Sequence, residues 1–437
     1  MALGLALGLT GTLSSWAQED TVQPVPQQPV TPEGVVAPTD AASREALSKP
    51  PPKSGMIRWG AFEVFPRASA GVLYDDNVNI QQGPLRQSDL MWSVSPGAMV
   101  MAGTPGVDLP PAISFEALRM LPRQPYIGLD SEPAKMFLLD YAPTVKYFDR
   151  YHQYNSVDQS ARLTGIYSFS RLTLGLDQDY VKALDTIADV GARTTSQYIT
   201  TRLTSKYDLS DRTCVEVNGQ YLNASYQDPQ FFGSRQWENQ DWLDRQIGGK
   251  VNAGLGLTLG YWDVDRNPSQ TYEQVLARGI YHFAEKLDFT ASAGGEWRQY
   301  SSGAPATLDP IFSLAGTYRP MDSTTITLEG HRLMESSALY GDFNYILTGF
   351  SAGVRQRLLD KWFVSLNASY DIAEYSAALG GISFSRTDDI YSVRLGLDYQ
   401  FTEHWTSGVY YNRTSDTSNA NFAYTDNQIG LQASWRF

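Results

Sequence analysis

Three features of the sequence predict an all-β fold, an antiparallel up-and-down barrel that crosses a membrane. They are an alternation of apolar and polar residues, a regular spacing of turns, and the lack of any apolar helical span. The alternation is clearest at the C-terminal end. Ile429, Leu431, Ala433, Trp435 and Phe437 share one parity, and Gln428, Gly430, Gln432, Ser434 and Arg436 share the other. A period of two sends these sets to opposite faces of a strand. The preceding run sets Tyr391, Val393, Leu395, Leu397, Tyr399 and Phe401 against Ser392, Arg394, Gly396, Asp398 and Gln400. A soluble sandwich would bury the apolar face. An outer-membrane barrel turns it to lipid and keeps the polar face on a wet lumen.

Composition narrows the choice. Lys+Arg number 34 against 47 Asp+Glu, a net charge of −13, with 42% hydrophobic residues and a mean hydropathy of −0.31. These values suit a barrel, in which only alternate strand residues need be apolar. After the N-terminus no run reaches the roughly 20 apolar residues of a membrane helix. An acidic chain without basic clusters excludes nucleic-acid partners. The 26 Tyr and 10 Trp are the residue types that gather at bilayer interfaces.

Residues 1–17 read as a signal peptide, an apolar stretch ending in Ser15-Trp16-Ala17, without a basic leader. Residues 18–57, rich in Pro, Gln and Val, read as a disordered periplasmic tail. The barrel is assigned to 58–437, with a Pro-rich insertion over 103–133 that holds one helical turn between Ile113 and Leu121. A single cysteine, Cys214, rules out an internal disulfide framework.

In order along the chain, Arg67 to Tyr74 and Leu90 to Met101 form a first hairpin, joined by a polar loop. Beyond the insertion, Leu139, Tyr141, Val145 and Tyr147 oppose Asp140, Thr144 and Lys146. Next, Val157, Ala161, Leu163, Tyr167 and Phe169 oppose Asp158, Arg162 and Thr164, and Leu172, Leu174 and Leu176 oppose Asp177 and Asp179. Later strands are expected to begin near Ser196, Thr213, Asp241, Leu255, Tyr272, Leu287, Ile311, Thr325, Tyr345, Phe363, Ile390, Thr406 and Thr425. The count is about 18, an even number, as single-chain bacterial barrels have. Tight turns at Ser170-Arg171, Ser210 to Arg212, Ala284 to Lys286, Pro320 to Asp322, Leu359 to Lys361 and Thr402 to His404 alternate with longer loops. Those loops are Asp185 to Thr194, Gln227 to Asn239, Asn267 to Thr271, Ser301 to Asp309, Tyr375 to Asp389 and Ser415 to Tyr424. Short periplasmic turns and long extracellular loops give this rhythm, and an even count leaves both termini in the periplasm. Arg245 breaks the pattern, falling on the lipid parity of Leu243 and Ile247. A bulge or a place near the interface is needed to accommodate it.

Three short segments carry a family resemblance: Gly71 to Asn77 (GVLYDDN), Ser95-Pro96-Gly97, and the terminal Trp435-Arg436-Phe437. With these, residues from about 59 to 437 resemble the β-barrel porin type 2 family of bacterial outer-membrane proteins. The insertion departs from that pattern. The resemblance implies an outer-membrane barrel, and some relatives are linked to exopolysaccharide synthesis and export. Leu431, Trp435 and Phe437 resemble the terminal signal by which the barrel-assembly machinery recognises its clients.

Chemistry-bearing residues are scattered. Asp75-Asp76-Asn77 and Asp388-Asp389 suit divalent or lipopolysaccharide-bridging cations, or simply turns at strand ends. Of the four histidines, His331 is best placed for catalysis, with Glu329 on the same strand face, but no nucleophile motif accompanies it. No enzyme activity, cofactor or metal is assigned. The lumen-facing candidates are Asp177, Asp179, Arg162, Arg202, Lys206, Glu296, Arg298, Glu329, His331, Arg355, Arg357 and Arg394. Their signs are mixed, so net charge predicts no ion selectivity. Arg355 and Arg357 read either as a ladder for anions or as members of cross-strand ion pairs. Trp262 is the lumenal aromatic singled out, and one residue makes no sugar track.

The expectation is a passive, porin-like channel for small hydrophilic solutes. The alternatives are an accessory barrel for exopolysaccharide secretion and a plugged structural or binding barrel. Expected partners are outer-membrane lipid and lipopolysaccharide, the assembly machinery, and small solutes or polysaccharide.

Overall fold

The structure, a computed structural model, describes residues 57–104, 135–187, 189, 191–283, 286–339, 343–377, 386–420 and 422–436. The expected signal peptide, all of the expected tail but Ile57, and almost all of the 103–133 insertion lie outside these, as does Phe437.

A short edge strand β1 (Ile57–Trp59) pairs only with the start of β2 (Phe62–Asp75). The chain then builds β3 (Asp89–Thr104), β4 (Lys135–Phe148), β5 (Ser156–Ser168), β6 (Leu172–Ile187), β7 (Ala192–Ser210), β8 (Thr213–Tyr226) and β9 (Ser234–Gly248). It continues through β10 (Val251–Val264), β11 (Gln270–Phe283), β12 (Leu287–Tyr300), β13 (Thr307–Met321) and β14 (Thr324–Ser336). The last five are β15 (Phe343–Leu358), β16 (Trp362–Ala377), β17 (Arg386–Gln400), β18 (Trp405–Ser418) and β19 (Tyr424–Arg436). Each strand from β2 to β19 pairs antiparallel with its sequence neighbours, and β19 returns to β2, from Gln428↔Asp75 to Arg436↔Arg67. Of the 19 strands in the sheet, 18 therefore close a ring with no free edge. Closure pairs every backbone group within the wall, which is what lets strands cross lipid.

The wall sorts residues as alternation demands. Leu139, Tyr147, Leu203, Leu255, Leu257, Val275, Leu395 and Ile429 stand exposed outside, while Asp140, Lys146, Arg162, Thr258, Gln274 and Gln428 are buried inside. This inverts a soluble protein and marks the outer face as the lipid-contacting one. Leu257 lies mid-strand in this belt. Replacing Leu257 with Arg should lower barrel stability by about 2–4 kcal/mol, read as a shifted urea midpoint in refolded, vesicle-inserted protein.

Arg245 sits outside, close to the end of β9, paired with Thr213 at the very start of β8. It therefore meets the interface, and the β9–β10 irregularity at Val251/Asn252 is not what accommodates it. Polar residues also stand on the outer parity at mid-wall: on β9 Asn239 Nδ2 donates to Asp241 Oδ2 at 3.2 Å, and Thr201 on β7 donates to Gln178 on β6 at 2.6 Å.

Several strand ends differ from the expected ones. β9 begins at Ser234 rather than near Asp241, β7 at Ala192 rather than near Ser196, and β10 at Val251 rather than near Leu255. At the start of β9, polar residues occupy both faces (Arg235, Gln236, Glu238, Asn239, Gln240), so alternation vanishes although the ladder continues. The loop expected from Asp185 to Thr194 shrinks to residues 188–191, because Asp185↔Thr194 and Ile187↔Ala192 still pair.

Candidate functional site

Ion pairs, some across strands and some along one strand, line the lumen wall. Register sets Arg162 on β5 opposite Asp179 on β6, and Asp177 opposite Arg202 on β7. Arg162 reaches Asp177 at 3.2 Å and Asp179 at 3.6 Å, and Arg202 reaches Asp179 at 4.0 Å while Nε donates to Gln220 at 2.6 Å. Lys206 lies 3.6 Å from Asp208. Glu296 and Arg298 pair along β12 at 2.7 Å, and the guanidinium stacks on Trp262 and Tyr272. Interdigitated charges of this kind replace a hydrophobic core, each buried ion compensated by its neighbour.

His331 finds a different partner from the one sequence spacing suggests. Glu329 shares its strand face, but His331 Nε2 pairs with Asp371 Oδ1, 3.3 Å away and two strands over. The residue between them is Gly349. A Cβ there would fall 1.8 Å from Asp371 Oδ1 and 2.7 Å from His331 Cε1, so only glycine admits the pair.

Arg355 stacks on Phe363 at 4.7 Å, and Arg394 on Tyr410 at 4.5 Å. Arg357 extends from the same parity of β15 near its short-turn end. Trp242, Tyr272, Tyr345 and Tyr375 are inward aromatics that the sequence reading passed over. Their parity was legible. They pack against one another and against aliphatic neighbours in separate clusters, so they form no continuous aromatic track.

The acidic turn candidates have internal partners. Asp75 accepts from the Asn77 amide at 2.8 Å and pairs with Arg193 at 3.0 Å; Asp388 pairs with Arg386 at 2.6 Å, and Asp389 accepts from Tyr370 at 2.7 Å. Cys214, Glu216 and Asp244 bring ligand-type atoms within 4.8 Å of one another, but Arg278 already donates to both oxygens of Asp244. Leu431 and Trp435 lie on the outward parity of β19.

Shielding within the lumen is uneven. Toward the end bearing the long loops, Tyr198 on β7, Leu222 on β8, Leu347 on β15, Asp371 on β16 and Ile390 on β17 are buried. Nearer mid-wall the same strands carry half-buried inward residues: Arg202, Gln220, Ser351, Asn367 and Arg394. The cover comes from loops. In the β6–β7 loop the Asp189 carboxylate accepts from Ser337 Oγ at 2.8 Å and from the amides of Ala338 and Leu339 at 2.5 and 3.2 Å. Its carbonyl accepts from Arg386 Nη1 at 2.7 Å. Burial raises the Asp189 carboxyl above its ordinary range, against the opposing pull of Arg386 and these hydrogen bonds. The Phe232 amide in the β8–β9 loop donates to the Ala338 carbonyl at 2.8 Å. Four loops and strand ends thus converge over one mouth.

Comparison with known proteins follows the geometry. Residues 231–437 match the family described as outer membrane protein beta-barrel domain. The closed ring and this match, which spans just under half of the chain, are those of an outer-membrane β-barrel. No curated protein matches it. Among solved structures, Acinetobacter baumannii OccAB4 is similar at 9% identity and a TM-score of 0.43, covering 86% of this chain and 98% of that one. Pseudomonas aeruginosa OpdQ is similar at 9% and 0.43, covering 87% and 99%. Pseudomonas aeruginosa OccK2 (OpdF), solved in complex with glucuronate, is similar at 10% and 0.44, covering 86% and 98%.

Proposed function

We propose that this barrel is a passive diffusion channel for small hydrophilic solutes across the outer membrane. One observation carries the reading: a closed ring of 18 strands keeps polar and charged side chains on its inner face, and those at the middle of β7, β8 and β15 to β17 remain partly exposed. A ring of that size encloses an aqueous lumen unless something fills it. Both chain ends and the short turns face the periplasm, and the long loops face outward. Leu431, Trp435 and Phe437 present the terminal strand to the assembly machinery, and the outward aromatics meet lipid and lipopolysaccharide.

The partly exposed mid-wall charges give the channel a sign. They are Arg202, Arg355 and Arg394 against Asp177 and Glu329, three cations to two anions, with Arg357 nearer the short turns. In the pair of Arg202 with Asp179, the guanidinium is 12% exposed and the carboxylate 5%, so the cation faces the lumen. Fixed charges of one sign at a constriction select the opposite ion. The channel therefore favours anions although the chain carries a charge of −13. Reversal potential across a planar bilayer under a potassium chloride gradient tests this, with the sign expected for chloride preference; cation preference would contradict the assignment.

A further inference from the structure

At the long-loop end of the lumen, contacts join opposite walls. Along the ring, β7 and β15 are eight strands apart one way and ten the other, nearly diametric. Yet Asp189, just before β7, is fully engaged by Ser337, Ala338 and Leu339, just before β15. Arg386, at the start of β17, holds the Asp189 carbonyl from a third side and stacks on Phe422 at 3.9 Å. Gly191 completes the fit. Its φ of +62° suits glycine, and a Cβ there would stand 2.9 Å from Phe422 Cδ1. A four-residue hairpin loop needs none of this to turn. The bonds reach outward from the loop to distant wall, and all of them lie at the mouth.

We propose that the β6–β7 loop is a latch, with Asp189 its bolt and the Ser337–Leu339 backbone and Arg386 its catch, so that releasing Asp189 opens the long-loop mouth to solutes. The inference rests on the channel reading and adds its regulation. Asp189 accepts through its carboxylate and its carbonyl, and Ser337 Oγ, the Ala338 and Leu339 amides and Arg386 Nη1 donate to it, so these bonds are lost together when the loop leaves its position. Release exchanges these four bonds together for hydration in the lumen, which makes the engaged and released states distinct.

The test is single-channel recording of the purified full-length protein. Asp189→Ala should raise open probability about tenfold or more. A double substitution, Asp189→Cys with Ser337→Cys in a Cys214→Ser background, should lock the pore shut under oxidant and free it on reduction. Heat-modifiability on gels certifies folding of each variant, and the crosslinked pair keeps the test independent of any folding defect in the alanine variant. A wild-type channel whose openings neither Asp189→Ala nor the crosslink alters overturns the latch and leaves the channel standing. Silence from every folded form, wild type and unlatched alike, overturns the channel reading and the latch with it.

Discussion

Replacing Arg162 with Met should destabilise the folded barrel by about 3–5 kcal/mol, the usual consequence of stripping one partner from a buried ion cluster. Arg162 is 1% exposed and is shared between Asp177 and Asp179, with Nε also donating to Thr164 at 3.3 Å. Removing it takes from Asp177 and Asp179 the guanidinium they share, while Arg202 stands 4.0 Å from Asp179. Asp179, 5% exposed, is held among these neighbours by strand register, whereas Asp177, 18% exposed, keeps part of its hydration. Adding Asp177→Asn and Asp179→Asn to the Met variant should restore most of the loss, since the charges that needed compensation are gone. Urea titration of protein refolded into vesicles reads both effects. Equal stability for the single and triple variants would show that the cluster does not act as a unit.

Converting Arg355, Arg357 and Arg394 together to Glu should turn an anion-preferring channel into a cation-preferring one. The change moves six units of charge, three sites by two units each, onto the part of the lumen least shielded by loops. Selectivity set by side-chain charge inverts when that charge inverts. Stability should change less than for Arg162, because Arg355 and Arg394 lie against the rings of Phe363 and Tyr410 in a half-exposed setting. A reversal potential of unchanged sign in a folded triple variant would place the selecting charges elsewhere in the lumen.

Much of the wall was legible in sequence because a strand reports itself locally. The parity of Leu395 against Arg394, or of Ile429 against Gln428, depends on nothing but the pleat. Turn positions followed from the same runs. Where both faces of a strand are polar, as from Arg235 to Gln240, the local signal fails, and only pairing with β10 reveals the strand. The lumen residues were chosen by parity, but their partners were not, since register between strands decides that Arg162 meets Asp179 and that Asp371 reaches His331 across Gly349. The mouth was least legible. Asp189 lies 148 residues from Ser337, and no spacing rule connects them. Both sit in short polar connections that read as ordinary extracellular loops. The aromatics that pack the lumen, Trp242 and Tyr375 among them, carried a usable parity signal, but outward aromatics of the belt share the same residue types.

The central claim is that the ring encloses a conducting path. Single-channel conductance of the purified wild-type protein in a planar bilayer tests it most directly, with Asp189→Ala recorded alongside. Discrete, reproducible steps that become more frequent in the Asp189→Ala variant are the predicted result. Folded, heat-modifiable protein that inserts yet stays silent in both forms would contradict the claim and leave a barrel whose interior is a packed core.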